Sequence, residues 1–198
     1  MENHPVWRSA ARVARGSPVK VGTDFPSLFL AQKRRSIGQV YFPRIKHCLQ
    51  RLPEDDIWWR PNAASNSAGN LVLHLTGNIR QWIGSGLGGA PDIRNRDREF
   101  QEEGPVPRRT LLALLSKEVR ATCCLLAALS GPELENVYFV QGFRVTGLQA
   151  VAHVVEHFAY HCGQIIYLTK SRLGADLYLT HLPREQNRSH KGPRLPAV

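Results

Sequence analysis

The sequence predicts an all-α domain built as a four-helix bundle, and three observations carry that expectation. A chain of 198 residues is long enough for one hydrophobic core and too short for two comfortable domains. Apolar residues make up 42% and charged residues 21%, which is the balance of a globular protein rather than of a disordered or fibrous one. Four segments carry apolar residues three and four apart, and one of the stretches between them is long enough to cross a bundle.

The first helix follows Pro26. In LFLAQKRRSIGQVYFPRIKHCLQRL the residues Leu30, Ile37, Val40, Tyr41, Ile45, Cys48 and Leu49 recur at helical spacing. Pro43 kinks or divides this helix, because proline removes a backbone donor and clashes with the preceding turn. PEDDIWWRPNAASNSAGN is a structured loop, with Trp58 and Trp59 as packing anchors. Ser65, Asn66 and Ser67 are candidate N-caps for the second helix, AGNLVLHLTGNIRQWI, which runs to the glycines at 84, 86, 88 and 89.

The connection GLGGAPDIRNRDREFQEEGPVP is charged and has little periodicity. A loop of this length in a compact domain is usually functional or crosses the top of a bundle. Pro107 opens the third helix, whose Leu111, Leu115, Val119, Thr122 and Leu126 share one face, and SGPE ends it. NVYFVQGFRVTG reads equally as a short strand pair or as an irregular link. The fourth helix runs from about Thr146 to Leu173, ahead of Gly174. The folded domain is therefore expected over residues 28–183, between a basic N-terminal extension (1–27) and a basic tail (184–198), both expected to be disordered.

The formal charge of +10 raises nucleic acid as a partner, but half of the excess lies in those two end segments. No nucleic-acid motif and no interleaving of basic and aromatic residues supports it, so that partner is disfavoured. No apolar run is long enough to span a membrane, and the N-terminus lacks the pattern of a secretory signal. Cys48, Cys123, Cys124 and Cys162 contain no C-x-x-C pair, which fits a reduced, cytoplasmic setting. Cys162 directly follows a histidine but lies about 100° around the helix from it, so packing is the expected role. The other three cysteines are expected to be small core residues.

The chemistry concentrates in AHVVEHFAYHCGQI, where His153, His157 and His161 stand four apart. On a helix these residues form a ladder on one face, and two neighbouring rungs can aim nitrogens at one point. The outer two start about 12 Å apart along the axis, too far to share one ion whose bonds to nitrogen are about 2.0–2.1 Å. A lone buried histidine is most often a hydrogen-bonded core residue, but a triple at this spacing arises by chance only about 0.01 times in such a chain. His74, in the apolar stretch LVLHLTGNIRQWI, supplies a third nitrogen from a facing helix, with Asn78 one turn further on. Three nitrogens leave positions open, as in a catalytic metal site. Gln164, three residues after His161, lies on the same side and is placed to orient a ligand or hold bound water. Glu156 points away from the ladder by about 100° and makes a poor general base.

NSAGNLVLHLTGNIRQWI, RNRDREF and HVVEHFAYHCGQIIYLTK together resemble the DinB-like proteins, which include the YfiT-type proteins and bacterial thiol transferases, and most closely a branch without an assigned function. The resemblance runs from about Leu28 to Pro183. It implies an up-down-down-up bundle with a long crossover between the second and third helices, often dimeric, holding a divalent metal on three histidines. By position these match His74, His157 and His161, with His153 outside the ligand set, while Asn78, Trp82, Arg98, Glu99 and Phe100 match recurrent positions nearby. Members of known activity transfer low-molecular-weight thiols or isomerise a substrate with thiol help.

Two functions follow as expectations. The first is a metal-dependent thiol transferase or hydrolase using zinc or nickel, with a small-molecule electrophile or thiol as partner. Asn78, Gln164 and His153 would then support the ligands, and Arg96, Arg98 and Trp82 would be the candidates for substrate binding, the arginines for an acidic group. The second is a non-catalytic metal-binding or dimeric interaction bundle.

Overall fold

The computed structural model describes residues 24–179. The carboxylate of Asp24 accepts the Ser27 backbone N–H at 2.8 Å and caps α1 (Phe25–Arg35), and Pro26 sits in the first turn, where a missing N–H removes no helical bond. The helix thus begins inside the segment that the sequence assigned to the N-terminal extension. Residues 1–23 of that extension, and the tail at 184–198, lie outside the described residues. A π-helical stretch, Ser36–Tyr41, carries the helix on into α2 (Phe42–Arg51). Its widened turns end just ahead of Pro43, so the absent donor falls in the first turn of α2 and the proline divides the helix without ending it.

Of the three candidate caps for the second helix, Ser67 is the one used. Its hydroxyl accepts the Asn70 N–H at 3.1 Å, while Asn70 Oδ1 accepts the Ser67 N–H at 3.2 Å, and this reciprocal box starts α3 (Ala68–Ile79). A second π-helical stretch, Arg80–Ser85, extends α3 to the glycines. The crossover is not unstructured: it carries the short α4 (Arg96–Gln101), capped by Asn95. The third long helix is α5 (Arg108–Ala128), followed by α6 (Gly131–Glu135). The undecided link resolves into an antiparallel hairpin, β1 (Val137–Val140) and β2 (Phe143–Thr146), with Val137 opposite Thr146 and Val140 opposite Phe143. Thr146 caps α7 (Gly147–Leu173), and Gly174 closes it in the left-handed conformation at φ 60°.

The direction of the four long helices follows from which ends meet. At the start of α5, Arg108 donates its backbone N–H to Glu54 at 3.0 Å and its Nη2 to the Leu52 carbonyl at 2.9 Å, just past the end of α2. Near the end of α7, Arg172 donates to Asp56 in the same loop at 2.7 Å. Trp58 of that loop lies against Gly69 at the start of α3 and reaches the Val106 carbonyl with its indole N–H. The first helix therefore ends where the second and third begin and where the fourth ends, which is the up-down-down-up order, and the crossover exists because α3 and α5 run the same way.

The face of α5 expected from the sequence is buried as a set: Leu111, Leu115, Val119, Thr122 and Leu126. Opposite it, α7 buries Val151, Val154, Phe158 and Ile165. Phe158 is fully enclosed, and its burial alone contributes about 1.5–3 kcal/mol. Cys162 is buried with its Sγ 3.7 Å from the Tyr41 carbonyl, and burial pushes its thiol up to about 12, so it packs and does not act as a nucleophile. Cys48 is buried too. Cys123 is half-buried and Cys124 exposed on the outer side of α5, so the expectation of a core role fails for Cys124. No helix among the described residues is long and apolar enough to cross a membrane.

Candidate metal centre

Three histidine nitrogens converge between α3 and α7. His157 Nε2 lies 3.1 Å from His74 Nε2 and 3.1 Å from His161 Nε2, and one nitrogen from each ring falls within 4.8 Å of the others. The antiparallel packing of the two helices creates this meeting: His157 and His161 are one turn apart on α7, and His74 enters from α3 at the same level. His74 and His161 are buried and His157 is half-buried.

The far side of each ring decides whether these nitrogens can serve as ligands. His74 Nδ1 is 2.9 Å from Glu99 Oε2. Arg94 Nη2 stands 3.1 Å from the same nitrogen, but it already donates to Glu99 Oε2 at 2.8 Å; the carboxylate is the nearer partner and only accepts, which favours a proton on Nδ1 and turns the Nε2 lone pair to the cluster. His161 Nδ1 is 2.6 Å from Gln164 Oε1, an accepting carbonyl oxygen, which fixes the same tautomer. Burial, reinforced by the neighbouring histidines, pushes His157 down to about 3, so its ring is neutral at physiological pH. Burial also lowers His161. The two 3.1 Å spacings from His157 Nε2 match the edge of a coordination shell, since donors about 2.0–2.1 Å from one ion are about 2.9–3.4 Å from each other. The donor set suits zinc, nickel and related divalent ions.

Behind His74 stands a charged network from the crossover. Arg94 donates Nε to Glu99 Oε1 at 2.7 Å and Nη2 to Glu99 Oε2 at 2.8 Å, a bidentate pair, and its Nη1 to Gln81 Oε1 at 2.9 Å. Gln81 in turn donates to Asp92 Oδ2 at 2.7 Å. Burial works to raise the Glu99 carboxyl, but the hydrogen bonds from Arg94 and His74 outweigh it and hold Glu99 below the usual carboxylate range. Asn70 clamps α4 in place by donating to the carbonyls of Glu99 at 3.0 Å and Glu102 at 2.7 Å, and Phe100 lies 4.6 Å from the His74 ring. The Glu99 carboxylate lies flush on Gly77, where any Cβ would collide with its Oε1.

The other residues singled out by sequence take separate positions. His153 lies outside the cluster, its ring 4.1 Å from Trp82 and 5.6 Å from His157. Trp82 is buried and donates its indole N–H to Gln141 Oε1 at 3.1 Å in the hairpin turn. Asn78 is buried with Oδ1 unpaired among the described residues, as is His157 Nδ1. Arg96 is exposed and stacks over Phe100 at 4.9 Å. Arg98 is exposed along a groove formed with Leu73, Thr76 and Leu114. Glu156 is exposed. The arginine that the fold brings to the histidines is Arg94, which sequence reasoning missed together with Gln81 and Asp92. In RNRDREF and its flank Arg94, Arg96 and Arg98 alternate identically, and only the docking of α4 onto α3 distinguishes them.

A family model described as a protein of unknown function, DUF1572, matches residues 24–186, and the chain belongs to that family. Three solved structures share its fold. A conserved protein from Enterococcus faecalis is 14% identical with a TM-score of 0.64, over 73% of this chain and 97% of that one. A DinB-like protein from Bacillus cereus is 16% identical with a TM-score of 0.57, over 75% and 93%. The DinB-like protein YjoA from Bacillus subtilis is 18% identical with a TM-score of 0.55, over 74% and 92%. No match was found among curated proteins. At these identities the structural likeness speaks for the fold, and it is the DinB-like fold that the sequence motifs resemble.

Proposed function

We propose that this member of the DUF1572 family binds one divalent metal ion through the Nε2 atoms of His74, His157 and His161 and works as a metal-dependent enzyme of the thiol-transferase or hydrolase type, with zinc or nickel as the ion. The observation that carries the reading is the convergence of three imidazole nitrogens, with the outer nitrogens of His74 and His161 held by Glu99 and Gln164 and the His157 ring kept neutral by burial. A divalent ion held there supplies Lewis acidity, favouring the deprotonated form of a thiol or of water at neutral pH. The chain contributes the rest. Glu99 fixes the His74 ring and makes it the more basic ligand, Gln164 fixes the His161 ring, and Phe100 packs against the His74 ring. With only three protein ligands, coordination positions stay open to a low-molecular-weight thiol or an electrophile, the small-molecule partners of this reading.

The test is bound metal, measured by mass spectrometry on untagged protein beside His74→Ala and His157→Ala variants shown by circular dichroism to remain folded. About one divalent ion per chain in the wild type, lost in both variants, is the expected result. A wild type that holds no metal and cannot be reloaded with zinc, nickel or manganese overturns the proposal.

A further inference from the structure

His74 and His161 each rest their outer nitrogen on a partner, Glu99 and Gln164, whereas the outer nitrogen of His157 has none. His157 Nδ1 is buried without a hydrogen-bond partner among the described residues, and so is Oδ1 of Asn78. Such atoms are rare, because each gives up its bonds to water and gains nothing in return. Here one orphan is always an acceptor, and the other becomes a donor whenever the imidazole carries its proton on Nδ1.

The packing of α3 against α7 brings the two to the same level. His74 lies against His161, with ring centroids 5.0 Å apart. About two turns later on α3, Trp82 lies against His153, about two turns earlier on α7, at 4.1 Å. Asn78 is midway between His74 and Trp82, and His157 is midway between His161 and His153, so in this antiparallel pair they stand opposite each other. Asn78 is only 3% exposed, and no direct hydrogen bond joins it to the ring. A gap between a buried acceptor and a buried ring nitrogen is the setting in which proteins hold a structural water.

The seat of the His157 proton decides whether its Nε2 can be a ligand. Burial keeps the ring neutral, so one nitrogen is protonated and the other bare. Nε2 lies 3.1 Å from the Nε2 atoms of both His74 and His161, whose own protons are drawn to Nδ1 by Glu99 and Gln164. Two bare nitrogens at that distance favour the His157 proton on Nε2, where it is the donor between them. Ligation requires the reverse, with Nε2 bare and the proton on Nδ1. A buried Nδ1–H then needs an acceptor, and the unpaired one at its level is Asn78 Oδ1.

We propose that Asn78 is the positioning residue of His157: its Oδ1, through one buried water, accepts the Nδ1–H and holds the tautomer whose Nε2 lone pair binds the ion. This deepens the metal reading above and rests on it. On ligation the Nε2 proton leaves to solvent, Nδ1 takes one up from solvent, and the Nε2 electron pair goes to the metal. The ring therefore stays neutral and releases no net proton. Each histidine then has its own outer acceptor, Glu99 for His74, Gln164 for His161 and Asn78 for His157.

The experiment measures zinc affinity by chelator competition, and the His157 ring by nitrogen-15 NMR, on full-length wild type, Asn78→Leu and Asn78→Asp. In the zinc-loaded wild type the His157 Nδ1 proton is expected to exchange slowly with water. Asn78→Leu, of similar size but without an acceptor, is expected to weaken zinc by about 10–100-fold and to speed that exchange. Asn78→Asp keeps the acceptor and is expected to restore both. Equal affinity and equal exchange in wild type and Asn78→Leu overturn the proposal and leave the metal reading standing. An Asn78→Asp chain that binds zinc no better than Asn78→Leu overturns it as well. If Asn78→Leu loses helix, the wild type decides alone: an Nδ1 proton of zinc-bound His157 that exchanges as fast as that of an exposed imidazole overturns the proposal. A wild type that takes up no zinc sinks the metal reading and the positioning role with it.

Discussion

His74 on α3 is tied to a buried ion pair, whereas His161 on α7 is tied to a half-buried amide. On the first side a carboxylate accepts the ring proton, a guanidinium neutralises the carboxylate, and both side chains are at least nine-tenths enclosed, at 4% and 10% exposed. On the second side no formal charge is present and a 540 Å³ cavity begins one residue away. The difference teaches that the two helices hold their histidines by different means. The charged side is a closed wall that fixes one histidine and raises its basicity, and the neutral side, called the doorway below, fixes another through an amide at the edge of an open cavity.

Breaking the wall carries the largest expected effect. Glu99→Ala leaves Arg94 enclosed without its counterion and is expected to cost about 3–5 kcal/mol of stability, because the desolvated charge remains when its partner goes. It also lowers metal affinity by about 10–100-fold through the freed His74 ring. Gln164→Leu removes a neutral acceptor at a half-open position. It is expected to weaken metal binding toward the lower end of that range with a stability change within about 1 kcal/mol. Urea denaturation and metal competition against a chelator read both quantities. Equal stability losses in the two variants would erase the distinction between wall and doorway.

Acid separates the two sides along the pH axis in metal-free protein. Burial lowers His153, His157 and His161 on α7, with His157 at about 3, so below about pH 6.5 the unfolded chain takes up protons that the folded chain refuses. Stability therefore falls as pH drops from about 6.5, an early onset contributed by the doorway helix. Glu99 acts lower: its depressed carboxyl contributes stability above about pH 4.3, and that contribution disappears as pH falls through its folded value. Denaturation midpoints measured between pH 8 and pH 4 should already decline between pH 6.5 and pH 5 in the wild type, and His157→Ala should flatten that limb. A flat wild-type profile across it would show that these rings are protonated in the folded chain.

The division also explains what the sequence could and could not reveal. Helical spacing in TLLALLSKEVRATCCLL predicted the buried face of α5 residue for residue, since burial on one helix is a local, periodic property. The His157–His161 pair and its Gln164 were legible for the same reason: all three sit on one helix, and the spacing of a helix is its geometry. Arg94 was not legible, because its role depends on where α4 lands on α3, a placement set by Asn70 and Arg60 reaching carbonyls of the crossover 29 to 42 positions away in the chain. The hairpin was undecidable because four-residue strands carry too little pattern. Cys124 was misjudged because an apolar neighbourhood in sequence, ATCCLLAAL, does not say which way one position of a helix faces.

Two glycines sharpen the comparison with the smallest changes. Gly77 on α3 is the surface on which the Glu99 carboxylate rests, and a methyl group there would collide with Glu99 Oε1 and crowd Arg94 Nε at 3.0 Å. Neither partner can give way, since the carboxylate is pinned by three hydrogen bonds and the guanidinium by its own. Gly77→Ala is therefore expected to destabilise by about 1–3 kcal/mol despite the better helix propensity of alanine, and to loosen the metal as Glu99→Ala does, by a smaller factor. Gly163 on α7 faces open space inside a helix, so Gly163→Ala meets nothing, gains propensity and is expected to stabilise by about 0.5–1 kcal/mol. Opposite signs from the same substitution, on the two helices that hold the same three nitrogens, would place the rigid and the open sides where the geometry does. A shift of the same sign at both glycines would mean that the carboxylate can move off Gly77 without cost, and that the wall is as adaptable as the doorway.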